Sequence, residues 1–296
     1  MAAKELICEN VVKSYGKKRV LEGVNLTIEP HKIYGLIGRN GAGKTTLLGI
    51  MTAQNTMDSG SVTYGGERVW ENQRVLDELC FSRELSPITL FGNNSMKVRE
   101  YLRMAQTYYP KWDQAYAERL IGQFGLDMKG RISKMSKGML SMVTIIVALA
   151  SRASVTILDE PVAGLDVFMR DQFYSLLLED YTETGRTFIL STHIIEEAAN
   201  LLEEVVILNN GVITLKENTE ALIGSCRYVS GREDVVEEAV RGLPMLHSET
   251  IGRSRTVCVK TADAIERKLA AYDVDVSPVP LQKIFVYLTK KDGEAV

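Results

Sequence analysis

The stretch Gly38-Arg39-Asn40-Gly41-Ala42-Gly43-Lys44-Thr45-Thr46 decides the fold. It fits the pattern G-x-x-x-x-G-K-[ST]. An apolar run, Ile33-Tyr34-Gly35-Leu36-Ile37, leads into it, and a segment of helical character from Thr45 to Ala53 follows. Strand, glycine loop and helix in that order make a cradle for phosphate. The glycines let backbone N–H groups turn inward around phosphate oxygens, and the helix adds its positive N-terminal end. In such a cradle Lys44 reaches the β- and γ-phosphates of a nucleotide, and the Thr45 hydroxyl is placed to ligate Mg²⁺. A glycine turn that merely happens to hold a lysine would not bring both flanks with it.

Further along, Val155-Thr156-Ile157-Leu158 is a second apolar strand, and it ends in Asp159 and Glu160. Two adjacent carboxylates at the end of a buried strand are costly unless they meet a cation or water. Asp159 is therefore expected in the Mg²⁺ shell, and Glu160 is expected to orient or deprotonate the water that attacks the γ-phosphate. A third apolar strand, Thr187 to Thr192, ends at His193. A histidine at a strand end is commonly a structural hydrogen-bonding residue; its place two elements after the carboxylate pair makes it a candidate for the site.

Strands that alternate with helices predict a mostly parallel α/β sheet. Before the phosphate loop the chain reads as short strands, Leu6 to Val12 and Arg19 to Ile28, and a hairpin around Gly65 and Gly66 adds to an N-terminal antiparallel β region. Residues 87–150 change to helical texture and read as an inserted subdomain. A hairpin turning on Asn210 and Gly211 closes this part. Beyond it lies a small α+β unit, so the expected domains are residues 1–225 and 226–296. A length of 296 residues suits one large or two modest domains.

These residues together resemble the ATP-binding cassette (ABC) ATPases over roughly residues 4–225. The loop Gly38 to Thr46 is similar to that family's Walker A motif, and Asp159-Glu160 to its Walker B end. Met135-Ser136-Lys137-Gly138-Met139 falls where the family carries its signature, L-S-G-G-Q, with Ser136 placed 23 residues before Asp159. Ala163-Gly164-Leu165-Asp166 is similar to the D-loop, Ser191-Thr192-His193 to the switch-histidine motif, and Tyr15 to the aromatic that stacks on adenine. The resemblance implies a P-loop NTPase fold that binds ATP and Mg²⁺ and hydrolyses ATP. Tyr15, the loop Gly38 to Thr46, Ser136, Gly138 and Asp166 would contact nucleotide, and Glu160 and His193 would be catalytic. Three departures stand out: Lys137 and Met139 replace the first glycine and the glutamine of the signature, Leu140 to Val143 replace the basic residues that usually follow it, and Glu84 occupies the position of the Q-loop glutamine, facing Mg²⁺ or the attacking water by analogy. The S-K-G-M form and the C-terminal extension are similar to those of small bacterial exporter cassettes.

In that family each nucleotide lies between one chain's phosphate loop and another's signature. One of each per chain implies a second ABC ATPase chain, in a homodimer or a heterodimer. The longest mostly apolar stretch, Met142 to Ala150, is about nine residues with Thr144 inside it, against the roughly 20 of a membrane span, so a separate membrane permease is expected to form the pore. It would meet this chain between Glu84 and Tyr101. Lys and Arg number 35 against 38 Asp and Glu, which leaves no basic excess for nucleic acid. The N-terminus shows no secretion signal and the four cysteines form no C-x-x-C pair, which points to a reducing cytosol, with the chain peripheral on the inner face of the membrane. The alternative is a soluble ABC ATPase, or a nucleotide-dependent regulatory module, without a permease.

Overall fold

The computed structural model describes residues 4–85, 96–261 and 269–289. They fall into two compact units, one of residues 1–193 and 206–215, the other of residues 194–205 and 216–296.

The first unit opens with β1 (Leu6–Tyr15) and β2 (Lys18–Ile28), long antiparallel strands in which buried and outward residues roughly alternate. β3 (Ile33–Ile37) is buried at every position and runs into the phosphate loop and α1 (Lys44–Met51). β4 (Ser59–Tyr64) and β5 (Glu67–Arg68) complete the antiparallel sheet in the order β2-β1-β4-β5, as the hairpin at Gly65-Gly66 predicts. A short α2 (Gln73–Leu76) leads to β6 (Leu79–Ser82). The expected helical insert consists of α3 (Val98–Tyr108), α4 (Gln114–Phe124) and α5 (Lys137–Ala150), and its expected start at residue 87 lies outside the described residues.

β7 (Val155–Asp159), α6 (Val167–Thr184) and β8 (Thr187–Ser191) follow. β3, β7 and β8 are buried along their whole length because both faces of a parallel sheet are covered. A short α7 (Ile195–Ala198), then β9 (Glu204–Asn209) and β10 (Val212–Asn218), give the order β10-β9-β3-β8-β7-β6. α1 lies in one continuous core that joins the two sheets: Leu47, Leu48 and Met51 share it with Leu6, Val11 and Leu21 on one side and Ile157, Ile189 and Leu208 on the other. Behind the sheet, Asp180 is fully buried and held by Arg186, with Nε to Oδ1 at 2.8 Å and Nη2 to Oδ2 at 2.6 Å.

The second unit contains α8 (Thr219–Gly224), β11 (Cys226–Arg232), α9 (Glu233–Ala239), β12 (Met245–Ile251), β13 (Ser254–Lys260), β14 (Asp275–Pro278) and α10 (Leu281–Thr289). Its sheet runs β12-β13-β11-β14, and α9 packs Val236, Ala239 and Val240 onto Val229, Val257 and Val259. The α+β character matches the sequence reading; the division of the chain differs from a cut at residue 225. Residues 194–205 and 216–224 group with the C-terminal residues because α10 packs on α7 and α8. All four cysteines are free and buried. Among the described residues no helix is long and apolar enough to cross a membrane.

Candidate functional site

The loop between β3 and α1 turns because Gly43 sits at φ 108°, in the left-handed region that favours glycine, with no room for a side chain: a Cβ there would lie 2.8 Å from Leu21 Cδ2. No side chain caps α1, so its first amides have no partner within the helix. They line a cavity of about 510 Å³ formed by Tyr15, Lys18, Val20, Asn40, Gly41, Gly43, Lys44, Thr45, Thr46, Asp159 and Glu160. The same β–loop–α geometry that closes the core thus leaves a positive-ended, concave surface at the carboxyl end of the sheet.

Lys44 is almost fully buried, and its ammonium donates to the carbonyls of Gly38 at 2.7 Å and Arg39 at 3.4 Å. Burial pulls its pKa below the usual lysine value, against the raising effect of Glu160 and Asp159. Gly38, Arg39 and Ala42 shape the loop from behind and do not line the cavity; Ala42 O accepts the amide of Gly211 from the β9–β10 turn at 3.2 Å. Tyr15 stands half exposed at the rim, with Lys13 Nζ 5.4 Å from its ring centre.

Across the cavity, Thr45 Oγ1 donates to Asp159 Oδ2 at 2.6 Å, which joins the phosphate loop to the end of β7. Asp159 Oδ1 is buried without a hydrogen-bond partner, and so is Ser191 Oγ, from the residue that faces Asp159 in the β7–β8 register. Unpaired buried oxygens of this kind call for a group that the protein itself does not supply. Glu160 takes a left-handed backbone, φ 52°, and its amide donates to Ser191 O at 2.9 Å. His193 Nδ1–H donates to Glu160 Oε2 at 2.6 Å. The expected catalytic pair is therefore in direct contact, because β7 and β8 are neighbours that end at the same level.

The signature residues do not line this cavity. Ser136 caps α5, accepting the Met139 amide at 3.3 Å, and Gly138 lies against the Gly164 backbone. Ser141 Oγ donates to Ala163 O at 2.7 Å, a second tie between these segments. Asp166 caps α6 through the Met169 amide at 2.9 Å. Glu84, expected toward Mg²⁺, is absent from the cavity lining; its carboxylate pairs with Lys137 Nζ at 3.2 Å. Lys18 and Val20 also line the cavity, although no motif includes them. Their signal was the tight β1–β2 turn, which sets Lys18 opposite Tyr15.

One chain thus carries a phosphate cradle with its carboxylates and, apart from it, a serine-capped helix with its own loop partner. This division is that of an ATP-binding cassette, and the chain belongs to the family of ABC transporter ATP-binding subunits. The family model described as ABC transporter matches residues 21–163. The taurine import ATP-binding protein TauB of Shigella dysenteriae is 32% identical over 229 residues, 73% of this chain and 84% of that protein. The ABC transporter ATP-binding protein YtrB of Bacillus subtilis is 24% identical over 281 residues, 93% of this chain and 94% of that protein. Among solved structures, an ATP-binding subunit of an ABC transporter aligns with TM-score 0.64 at 26% identity, over 73% of this chain and 91% of that one. A dimeric ATP-binding cassette in a post-hydrolysis state with ADP and phosphate aligns with TM-score 0.63 at 21% identity, over 72% of this chain and 98% of that one, and supports the fold. The chain is an ATPase of this family, built on the P-loop cassette fold.

Proposed function

We propose that two such cassettes close head to tail over two ATP molecules and thereby drive a separate membrane permease. The observation that carries this reading is the Glu160–His193 contact at 2.6 Å, on the rim of a cradle whose lysine and threonine are already in place. In it Lys44 exchanges its bonds to the loop carbonyls for the β- and γ-phosphates, and Tyr15 supports the base. Glu160, held by His193, accepts a proton from the attacking water, and His193 fixes the carboxylate's direction. Ser136 and Gly138 of one chain serve the γ-phosphate held by the other.

The residues present fit Mg²⁺. Thr45 Oγ1 and the unpartnered Asp159 Oδ1 are hard oxygen donors, and such a site completes its shell with phosphate oxygens and water. When bound, the ion neutralises charge on the β- and γ-phosphates.

The chain then works at the cytoplasmic face of the membrane, as a homodimer or beside a second cassette. Export is the direction favoured by the resemblance of the S-K-G-M signature to small exporter cassettes, while the taurine-import relatives, similar over 67–73% of the chain, are named for the opposite direction. Glu160→Gln tests the mechanism. The amide keeps the shape and loses the base, so hydrolysis should fall about 10²–10⁴-fold while MgATP binding persists. Light scattering should then show an ATP-dependent monomer-to-dimer shift that is weak or transient in the unaltered chain. Near-normal turnover would remove Glu160 as the base, and an inactive variant that never dimerises would remove the head-to-tail sandwich.

A further inference from the structure

We propose that Lys137 is a positioning residue whose ion pair with Glu84 sets the signature turn for pairing of two chains. This rests on the head-to-tail reading above. Two of the positions at which the chain departs from the family's sequence pattern are in contact with one another: Lys137 Nζ and Glu84 Oε1 are 3.2 Å apart.

Three segments meet at this lysine. Ser136, its neighbour, caps α5, while its stem lies over Gly164, where an added Cβ would come within 2.8 Å of Lys137 Cγ. Gly164 follows Glu160 by four residues, so the stem touches the loop that leaves the catalytic carboxylate. The ammonium reaches Glu84, two residues beyond the end of β6. There the chain is also pinned to α5 by Ser82 Oγ, which donates to Thr144 O at 3.0 Å. Lys137 therefore ties the Ser136 turn, the Ala163–Asp166 loop and the segment after β6 into one body.

The pair acts as a tether: the Lys137 ammonium and the Glu84 carboxylate hold the signature turn to the segment after β6, and removing either charge releases it. Both side chains are about half exposed, 53% and 54%, so the pair contributes little to folding, and its loss should leave the chain intact. Its effect falls instead on how well the signature meets the nucleotide of the other chain, once per site and twice per dimer.

The test uses the full chain carrying Glu160→Gln, with MgATP, and reads dimerisation by light scattering against protein concentration. Lys137→Met keeps the stem and removes the charge; Glu84→Gln does the same for the acid. Each should weaken dimerisation about two- to fivefold per site, with melting temperature and monomer MgATP affinity unchanged. The exchanged pair, Lys137→Glu with Glu84→Lys, should recover the parent's dimerisation to within about twofold, as expected of a half-exposed pair that works by charge. Single variants that dimerise like the parent would overturn the proposal, and so would an exchanged pair no better than the weaker single variant. A weakening by Lys137→Met alone, with Glu84→Gln silent, would also overturn it. If the Glu160→Gln parent stays monomeric, the head-to-tail reading fails first and this proposal falls with it; a parent that dimerises confines any failure to the ion pair.

Discussion

Gly138→Ala is the smallest change that should part nucleotide binding from chain pairing. A Cβ at position 138 would lie 2.5 Å from Gly164 O, and ordinary van der Waals contact begins at 3.4 Å. One backbone must therefore give by about 0.9 Å, and neither has a flexible side chain with which to do so. Overpacking of this sort costs about 1–3 kcal/mol. Relief by unfolding would lower the melting temperature; relief by sliding would carry the Ser136 turn away from the loop that follows Glu160. If sliding costs each composite site only about 1 kcal/mol, two sites lose about 2 kcal/mol, roughly a thirtyfold weaker dimer. The phosphate cradle is untouched, so a fluorescent ATP analogue should bind the monomer as before. Light scattering in the Glu160→Gln background measures the dimer. A Gly138→Ala chain that dimerises like its parent, with an unchanged melting temperature, would refute the argument that this contact sets the signature's position.

Two further outcomes follow from the charged groups. Burial lowers the pKa of Lys44 in the free chain, and bound phosphate raises it again; binding therefore takes up protons between those values, and ATP affinity should weaken as pH rises through the lowered one, before the ordinary lysine range. Titration from pH 7.5 upward, with Lys18→Met as control for the other lysine of the cavity, would show a flat profile only if Lys44 is not the group that meets the phosphates. Arg186→Met should cost about 3 kcal/mol or more in urea unfolding, because it strips the bidentate partner from a carboxylate with no exposure, while ATP affinity stays the same. A loss below 1 kcal/mol would mean that Arg152, 3.2 Å from Asp180, suffices to hold it.

What the sequence revealed was local. The phosphate loop could be read because its glycines, Lys44 and Thr45 are neighbours in the chain and the loop's geometry is fixed by those neighbours alone. β3, β7 and β8 were legible because strands covered on both faces are mostly apolar. Contacts between distant residues were not. Glu84 read as a residue facing the metal, but its carboxylate pairs with Lys137, more than fifty positions away, and nothing in either segment announces the other. The contact of Glu160 with His193 depends on β7 and β8 lying side by side, a matter of sheet order. The same holds for the division of the chain: the α7 segment reads like any helix between strands, and its grouping with the C-terminal residues comes from α10 packing against it.

The bond from Lys44 to Gly38 O has a consequence for exchange of nucleotide. At 2.7 Å and almost without solvent, the ammonium is satisfied by the protein's own backbone. An arriving phosphate replaces an existing bond, and a departing product hands the cation back to the carbonyl it left. At neither end of the cycle does a buried lysine stand unpaired, a state that would cost several kcal/mol. The carbonyl thus acts as a resident competitor, and the bond given up offsets part of what each phosphate ligand gains. A loop built this way suits a chain that must let go of its spent nucleotide as readily as it takes up the next.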